Sequence, residues 1–471
     1  MVFSSLTFIF IFLPIFFAVY FLTPSSHKNA VLLLGSLVFY WYGVKEQPLY
    51  LILLLASVAA NYWFGLQIGE QDSDSGKKGW LTAGLIYNFG WLILFKYAGF
   101  IIENINRLTA FLPEMKTISE FHPLLPLGIS FYTFQITSYL IDVYRKKTEP
   151  ETSILNLGAY LCMFPHITSG PIDTYRSLAS QFRERSHSMV QIEEGLRTFT
   201  IGLGLKVLLA NSFGSFWSDL NTIGFDSLST PLAWLGIVGY SLQLYFDFYG
   251  YSLMAMGLGQ MMGFSIAVNF KHPYMACSMT DFWRRWHITL GAWFREYIYI
   301  PLGGNRCKAS RQTLNMLAVW LLTGFWHGAS WNFILWGGIL FLIMFVEKQG
   351  LLKVLDKHSW FGHIYMCFFI PFTWLFFAIT DFAQLRMYLG RLFPFFDAGT
   401  GAVFAGDFEK YISMYGVTFL AGLIFSTEWP RRIYEKHKNN FLILLALIAV
   451  FVACVYCMYL GMDDTFLYYQ F

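Results

Sequence analysis

The stretch from Asp281 to Trp336 reads DFWRRWHITLGAWFREYIYIPLGGNRCKASRQTLNMLAVWLLTGFWHGASWNFILW, and it concentrates residues that a lipid-facing chain would otherwise exclude. It contains two histidines, His287 and His327, together with five arginines and a Pro-Leu-Gly-Gly turn. A charged side chain at the centre of a bilayer costs at least about 2.5 kcal/mol, so ionisable residues beside apolar runs are expected to have a function. We therefore expect the reactive centre in this stretch.

The composition of the whole chain indicates a membrane protein. Of its 471 residues, 56% are hydrophobic and only 13% are charged, whereas soluble domains have about 25% charged residues. Aromatic residues make up 20%, which suits the two headgroup interfaces. The net charge of +3 is too small to indicate a nucleic-acid partner. The six cysteines lack metal-ligand spacing, so we expect no metal site and no disulfide framework.

Apolar runs define the expected fold. We predict an all-α polytopic membrane protein with about a dozen transmembrane helices, because several runs approach the roughly 20 residues that a bilayer crossing needs. Pro and Gly interrupt the runs near 123–128 and 165–171, which favours additional re-entrant pieces. No soluble segment or internal repeat divides the chain, so we expect one integral-membrane domain, 1–471, with a catalytic core at about 125–346. The runs lie at about 8–22, 30–44, 48–67, 80–102, 124–141, 153–168, 198–218, 232–263, 313–346, 361–380, 411–428 and 440–460.

Lys and Arg in the short loops predict the orientation. Basic clusters occur at 145–147, 176–197, 295–311 and 431–438, and the positive-inside rule places them in the cytoplasm. The acidic segments at 397–409 and 463–464 then fall outside, with one span between each of them and the basic 431–438 loop.

The residues 281–298 are predicted to form one amphipathic helix. Its aromatic and leucine stripe recurs at 3 or 4 residues, and Arg284 and Arg295 would lie on the opposite face. One interpretation is an interfacial helix whose arginines reach lipid headgroups. The other is that these arginines, with Arg306 and Lys308, hold a phosphorylated donor, since the planar guanidinium meets phosphate oxygens in a bidentate geometry.

His327 is the strongest candidate for catalysis. No other ionisable residue occurs between Leu314 and Phe345, and burial keeps a histidine neutral and able to accept a proton. A neutral imidazole beside an alcohol is a general base for attack on a thioester. The structural alternative is a histidine that bonds to a neighbouring helix, and Gly324 with Gly328 would permit such close packing.

His287 is a weaker candidate, because an interfacial residue on the helix face of Arg284 and Gly291 needs no catalytic function. Structural and functional interpretations both remain open for it. We expect the other histidines to be solvated or capping residues; among them are His166, His272, His358, His363 and His437.

Seven motifs are spread over most of the chain: GISFYTFQ (128–135), IDVYR (141–145), FPHITSGP (164–171), YFDF (245–248), DFWRRWH (281–287), YIYIPLGGNR (297–306) and WHGASW (326–331). Taken together, they resemble the membrane-bound O-acyltransferase family, within it the bacterial alginate O-acetyltransferases and D-alanyl-lipoteichoic acid transfer proteins. The resemblance implies that His327 is the catalytic histidine and His287 the second characteristic polar residue. It also implies a ring of helices around a central funnel. Tyr249, Leu253 and Leu340 depart from the acetyltransferase pattern.

The resemblance further implies an enzyme of the bacterial cytoplasmic membrane that uses acetyl-CoA or another acyl thioester as donor substrate, with no bound cofactor. The acceptor would be an extracellular polysaccharide, reached through a secreted or membrane-anchored partner protein. D-alanyl transfer to teichoic acid is the alternative within the family. A transporter or flippase of a lipid-linked or acylated intermediate is the alternative class, and the missing repeat symmetry disfavours it.

Overall fold

The computed structural model describes residues 1–110, 117–396, 404 and 406–461. Within these ranges all the regular elements are helices, which confirms the predicted all-α class. Most of the predicted outer segment 397–409, and all of 463–464, lie outside the described residues.

The α-helices are numbered in chain order, and short π-helical segments continue several of them. The α-helices are α1 Leu13–Leu22, α2 Lys28–Gly43, α3 Leu49–Glu70, α4 Asp74–Leu92, α5 Ala98–Thr109, α6 Ile129–Tyr144, α7 Ile154–Cys162, α8 Phe164–Ile167, α9 Tyr175–Arg183, α10 Met189–Gly204, α11 Asn211–Ile223, α12 Thr230–Met261, α13 Met279–Arg285, α14 Ile288–Phe294, α15 Ala309–His327, α16 Trp331–Val346, α17 Leu352–Lys357, α18 Ser359–Ala378, α19 Phe382–Leu392, α20 Asp407–Phe425, α21 Trp429–His437 and α22 Phe441–Tyr459. The π segments are Phe8–Phe12, Ile93–Tyr97, Leu205–Ala210, Arg295–Tyr299 and Glu347–Leu351.

Five helical segments among the described residues are long and apolar enough to cross a bilayer. Phe8–Leu22 is also an apolar helix but is shorter than these five, and it lies where the sequence predicts the first span. The predicted total of about a dozen spans, the orientation and the central funnel remain predictions. The five segments are Leu49–Glu70, Asp74–Thr109, Met189–Ile223, Ser359–Ala378 and Phe441–Tyr459.

The first compact unit comprises Met1–Leu196 and Ala255–Ala267. Its central helix is α6, which is buried along almost its whole length. Gly128 precedes α6 with φ of 71°, and a Cβ atom there would collide with the carbonyl oxygen of Ile167. Glycine is therefore required where this turn passes the α8 backbone. Asn61 of α3 and Asn88 of α4 exchange hydrogen bonds through their buried amides, which satisfies both side chains.

The second unit comprises Arg197–Met254 and Val268–Phe471. Helices α10 and α12 cross where a Cβ atom on Gly202 would lie 2.6 Å from the carbonyl oxygen of Gly250. Beside this crossing, Lys206 and Asp247 form a fully buried ion pair of 2.8 Å. Losing one partner of such a pair leaves an uncompensated buried charge. The ion pair therefore fixes the π segment that follows α10 against α12.

The prediction of one continuous helix over 281–298 is wrong. The chain forms α13, then turns at Trp286 and His287, and resumes as α14. His287 adopts φ of 45° and ψ of 53°, in the left-handed region, which a right-handed helix cannot contain. The helical spacing of the aromatic and leucine residues was misleading, because Trp286 at the break and Leu290 after it are both buried although they do not belong to one helix. Arg284 and Arg295 consequently do not share one helix face opposite the aromatic stripe, because they lie on different sides of the break.

The apolar run 313–346 is a helical hairpin, so His327 lies at a helix end and not inside a continuous span. Helix α15 ends at His327, and α16 begins at Trp331. The hairpin closes where a Cβ atom on Gly324 would collide with the Phe333 carbonyl oxygen. A Cβ atom on Gly337 would likewise collide with the carbonyl oxygen of Trp320. The predicted close helix approach at Gly324 is thus confirmed.

Replacing Gly324 with alanine should destabilise the hairpin, because the added methyl group meets backbone and not a movable side chain. Overpacking typically costs about 1–3 kcal/mol. The midpoint of thermal unfolding of the purified protein should fall. The matched control is Gly338→Ala on α16, where an added Cβ atom meets nothing within 4 Å. Equal unfolding midpoints for the two variants would contradict the proposed close packing.

Candidate active site

His327 lies in an aromatic enclosure at the end of α15. Its side chain is only 2% exposed. The imidazole packs edge-on against Trp336, with 5.2 Å between ring centroids, and against Phe377 at 5.3 Å. Its neighbour Trp326 lies 5.0 Å from it. These three ring neighbours are all uncharged, and such an apolar environment favours the neutral imidazole that base catalysis needs.

His287 is the turn residue between α13 and α14, and it is 1% exposed. Its ring stands perpendicular to Phe248 at 4.7 Å. Non-glycine residues in the left-handed region cost of the order of 1–3 kcal/mol and are found preferentially at functional sites. The imidazole of this strained turn residue is buried in the interior of the protein.

The orientation of the Asn269 amide determines the tautomer of His287. Asn269 Oδ1 accepts hydrogen bonds from the backbone N–H of Thr289 at 3.2 Å and from its hydroxyl at 2.9 Å. A backbone N–H only donates, so the amide atom facing it must be the oxygen. The same oxygen lies 3.2 Å from His287 Nδ1. Nδ1 therefore carries the proton, and Nε2 carries the lone pair.

Burial also controls the charge of His287, which lies in a turn outside the helices long enough to span a membrane. Removal from water lowers the pKa of His287 to about 3, because the charged form loses its hydration. The ring is therefore neutral over the physiological range.

The indole of Trp326 connects the two histidines. Its ring centroid lies 6.2 Å from the His287 ring and 5.0 Å from the His327 ring. Both imidazoles thus contact the same indole. The structure brings together the two histidines that the sequence singled out.

A buried carboxylate holds the helix that leads to His287. Glu347 accepts hydrogen bonds from the backbone N–H groups of Met279 and Thr280 at 2.6 and 2.9 Å, and from the Thr280 hydroxyl at 2.6 Å. These groups are the unpaired donors at the start of α13, where the helix dipole favours a negative charge. Glu347 therefore caps α13 from 68 residues away.

The four basic residues predicted to bind the donor lie on the surface. Arg284 is in α13, Arg295 begins the following π segment, and Arg306 and Lys308 belong to the loop before α15; all four are exposed. Among the described residues, no hydrogen bond or ring contact joins these side chains to either histidine. Their assignment to donor binding remains a prediction.

Sequence reasoning missed several buried polar residues. His166, expected to be solvated or capping, is fully buried, with Nε2 3.3 Å from Asp173 Oδ2. That expectation was wrong because the segment around His166, which has a loop-like sequence, forms the short helix α8, whose residues are all buried. Asn269 and Glu347 were missed since their partners are distant in sequence. The one available signal for Glu347 was a lone carboxylate directly after an apolar helix.

An all-helical membrane chain with two buried, adjacent histidines has the architecture of an integral-membrane enzyme. The model of the membrane-bound O-acyltransferase family matches residues 146–380. A relative named probable alginate O-acetylase, from Azotobacter vinelandii, is 43% identical over 341 residues, covering 72% of this chain and 66% of the relative. A peptidoglycan O-acetyltransferase of Helicobacter pylori is 38% identical over 373 residues, covering 72% and 68%.

A teichoic acid D-alanyltransferase of Streptococcus thermophilus is more distant, at 30% identity over 228 residues, covering 45% of this chain and 54% of the relative. The chain belongs to the membrane-bound O-acyltransferase family. The resemblance stated from the motifs is thereby confirmed. The match to the Azotobacter relative spans about two thirds of that protein's length.

Replacing Asn269 should alter the protonation of His287. In Asn269→Asp the carboxylate would stabilise the imidazolium and raise the pKa of His287, so the acid limb of the pH–rate profile should move to higher pH. Asn269→Leu removes the acceptor and should lower activity at every pH. The matched control is Thr289→Val, which removes another donor to the same oxygen but keeps the histidine bond. An unshifted acid limb in Asn269→Asp would contradict the role of Asn269.

Proposed function

We propose that this chain passes an acetyl group from acetyl-CoA across the bacterial cytoplasmic membrane, as a multi-pass protein, for O-acetylation of an extracellular polysaccharide. The Azotobacter relative is named for O-acetylation of alginate and the Helicobacter relative for O-acetylation of peptidoglycan, which supports acetyl transfer to an extracellular polysaccharide. The observation that carries the proposal is the pair of buried histidines that both pack against Trp326. A secreted or membrane-anchored partner protein would complete delivery to the polymer.

His327 acts as the general base in this proposal. A ring nitrogen of His327 takes the proton of the acceptor hydroxyl while the hydroxyl oxygen attacks the thioester carbonyl carbon. The tetrahedral intermediate then collapses, the carbon–sulfur bond breaks, and the thiolate recovers the proton from the imidazolium. The products are an ester and the free thiol, so no net charge remains in the enclosure.

His287 positions the donor or the acyl group. With Nδ1–H directed to Asn269, its Nε2 can accept a hydrogen bond from a substrate but cannot donate one in the neutral state. Phe248 and Trp326 pack against its ring and hold its plane. Arg284, Arg295, Arg306 and Lys308 would bind the donor phosphates from the cytoplasm.

Loss of the base should abolish modification of the polymer in cells. In a strain whose own copy is deleted, mass spectrometry of cell-envelope polysaccharides should show acetyl groups restored by the wild-type chain and not by His327→Ala. Removing one general base typically costs about 10²–10⁴-fold in rate. The two proteins must be present in the membrane at equal levels. Restored acetylation by His327→Ala would refute the assignment of the base.

The same spectra distinguish the acyl group. A D-alanyl mass on teichoic acid would favour the activity named for the Streptococcus relative. Unchanged polysaccharides and teichoic acids in the deletion strain would contradict acyl transfer to either polymer and would favour transport.

The two histidines should differ in how much activity each loss removes. A positioning group costs about 10²-fold when it is lost, because misplacement by about 1 Å slows a reaction without removing its chemistry. We expect His287→Ala to retain weak transfer and His327→Ala to retain none. Single-turnover assays with labelled acetyl-CoA and a supplied acceptor measure both. Equal and complete loss, or a greater loss in His287→Ala, would contradict this division.

A further inference from the structure

The first compact unit contains a group of basic side chains that the proposed reaction does not use. We call Lys28, Arg185 and His187 the basic cluster. Lys28 begins α2, and the other two residues lie in the segment between α9 and α10. This segment belongs to the 176–197 stretch that the positive-inside rule places in the cytoplasm.

Arg185 is held in one orientation by the residues around it. Its Nε donates to the Tyr20 hydroxyl at 2.9 Å, and its Nη1 donates to Asn29 Oδ1 at 2.6 Å and to the Gln181 carbonyl at 3.1 Å. The guanidinium lies over the Phe264 ring at 4.5 Å. Arginine has five N–H donors, and those on Nη2 are buried without a hydrogen-bond partner.

A chain of hydrogen bonds fixes the protonation of His187. The Tyr20 hydroxyl donates to the carbonyl oxygen of Met262 at 2.8 Å, so its proton is already committed. His187 Nε2, 3.3 Å from the same hydroxyl, must then donate to it. His187 Nδ1 faces Lys28 Nζ at 3.5 Å and accepts from it. His187 is therefore neutral, and Lys28 and Arg185 carry the charge.

Neither charge has a counter-ion among the residues that the structure describes. Among the described residues, no carboxylate lies within ion-pair distance of Lys28 or Arg185, although Lys28 is only 8% exposed. Burial, followed by the nearby Arg185, lowers the pKa of Lys28. Burial, then Lys28 and Arg185, lowers the pKa of His187. The buried Lys28 and the partly buried Arg185 carry charges of like sign, which repel each other, and an anion would relieve that repulsion.

The side chains of the basic cluster are held in place by the surrounding backbone and by hydrogen bonds. Gly263 adopts φ of 83°, and a Cβ atom there would lie 2.8 Å from the carbonyl oxygen of Ser186 and 3.4 Å from His187 Nε2. The backbone around Gly263 thus closes directly on the basic cluster. Asn29, which orients Arg185, is itself fixed by donating to Asn156 Oδ1 and to the carbonyl oxygen of Phe182.

We propose that the basic cluster binds a phosphate group. Arg185 Nη2 offers its N–H donors, and Lys28 adds an ammonium charge; charge-assisted hydrogen bonds of this kind are the usual means of holding phosphate. The phosphate belongs either to an anionic phospholipid headgroup or to a soluble nucleotide such as coenzyme A. A headgroup site goes beyond acyl transfer, whereas a coenzyme A site rests on the proposed function and adds a second group of basic residues that binds the donor.

The test measures binding by the full-length purified protein in two arms. Native mass spectrometry counts retained phosphatidylglycerol, and calorimetry in zwitterionic lipid measures coenzyme A. The variants are Arg185→Gln and Lys28→Gln, and the matched control is Arg183→Gln, an exposed arginine two residues away with the same change of charge. We expect one ligand to bind wild type and the control equally and to bind each cluster variant about tenfold more weakly.

Each outcome decides the proposal. Weaker lipid retention alone identifies a headgroup site, and weaker coenzyme A binding alone identifies a donor site; either supports phosphate binding. Failure of both ligands to bind, or equal binding by cluster variants and control, overturns it. Lys28→Gln removes no hydrogen bond to the backbone, so it remains informative if Arg185→Gln does not fold. His327→Ala should bind as wild type, which separates this result from any failure of the proposed reaction.

Discussion

The hydrogen bonds to Asn269 Oδ1 are the interaction on which the candidate active site depends. One oxygen accepts from Thr289 and from His287, so it fixes both the start of α14 and the tautomer of the histidine that precedes it. This acceptor, together with the backbone hydrogen bond from Ile288 N–H to the Asn269 carbonyl oxygen, compensates for the strain of the left-handed turn at His287. The position of His287 beside Trp326, and thus beside His327, follows from this turn.

The rest of the second unit supports the same turn from further away. Glu347 caps α13, and the buried Lys206–Asp247 ion pair fixes α12 one residue before Phe248, which packs on the His287 ring. Helix α16, which ends just before Glu347, also packs on α15 through Gly324. The hairpin that presents His327 and the cap that positions His287 therefore share one helix. Polar groups buried away from water must be paired within the protein, and here the pairing also positions the site.

The sequence predicted what depends on composition and local pattern. The apolar runs led to the all-α class, and the isolation of His327 within one of them indicated a buried histidine, which the structure shows. The break at His287 was not predictable from periodicity, because buried aromatic residues on both sides preserved the helical spacing. Contacts between residues 18 or more positions apart, such as Asn269 with His287 and Glu347 with Met279, leave no local pattern.

Loop-like sequence also concealed buried polar groups in the first unit. His166 lies in a segment rich in Pro, Gly and Ser and was expected to be solvated or capping, and Arg185 lies in a basic segment that was used only to predict orientation. The packing of distant helices buries the first and orders the second. Burial of a polar residue is a property of the tertiary structure, and local hydropathy does not report it.

The most direct measurement of the central claim is an experimental structure of the protein with a non-cleavable thioether analogue of acetyl-CoA. If His327 is the base, the carbonyl carbon of the analogue should lie within about 6 Å of a His327 ring nitrogen, the reach of one hydroxyl that is hydrogen-bonded to the base and placed for attack. A carbonyl bound well beyond that distance, with side chains filling the space between, would contradict general-base catalysis by His327.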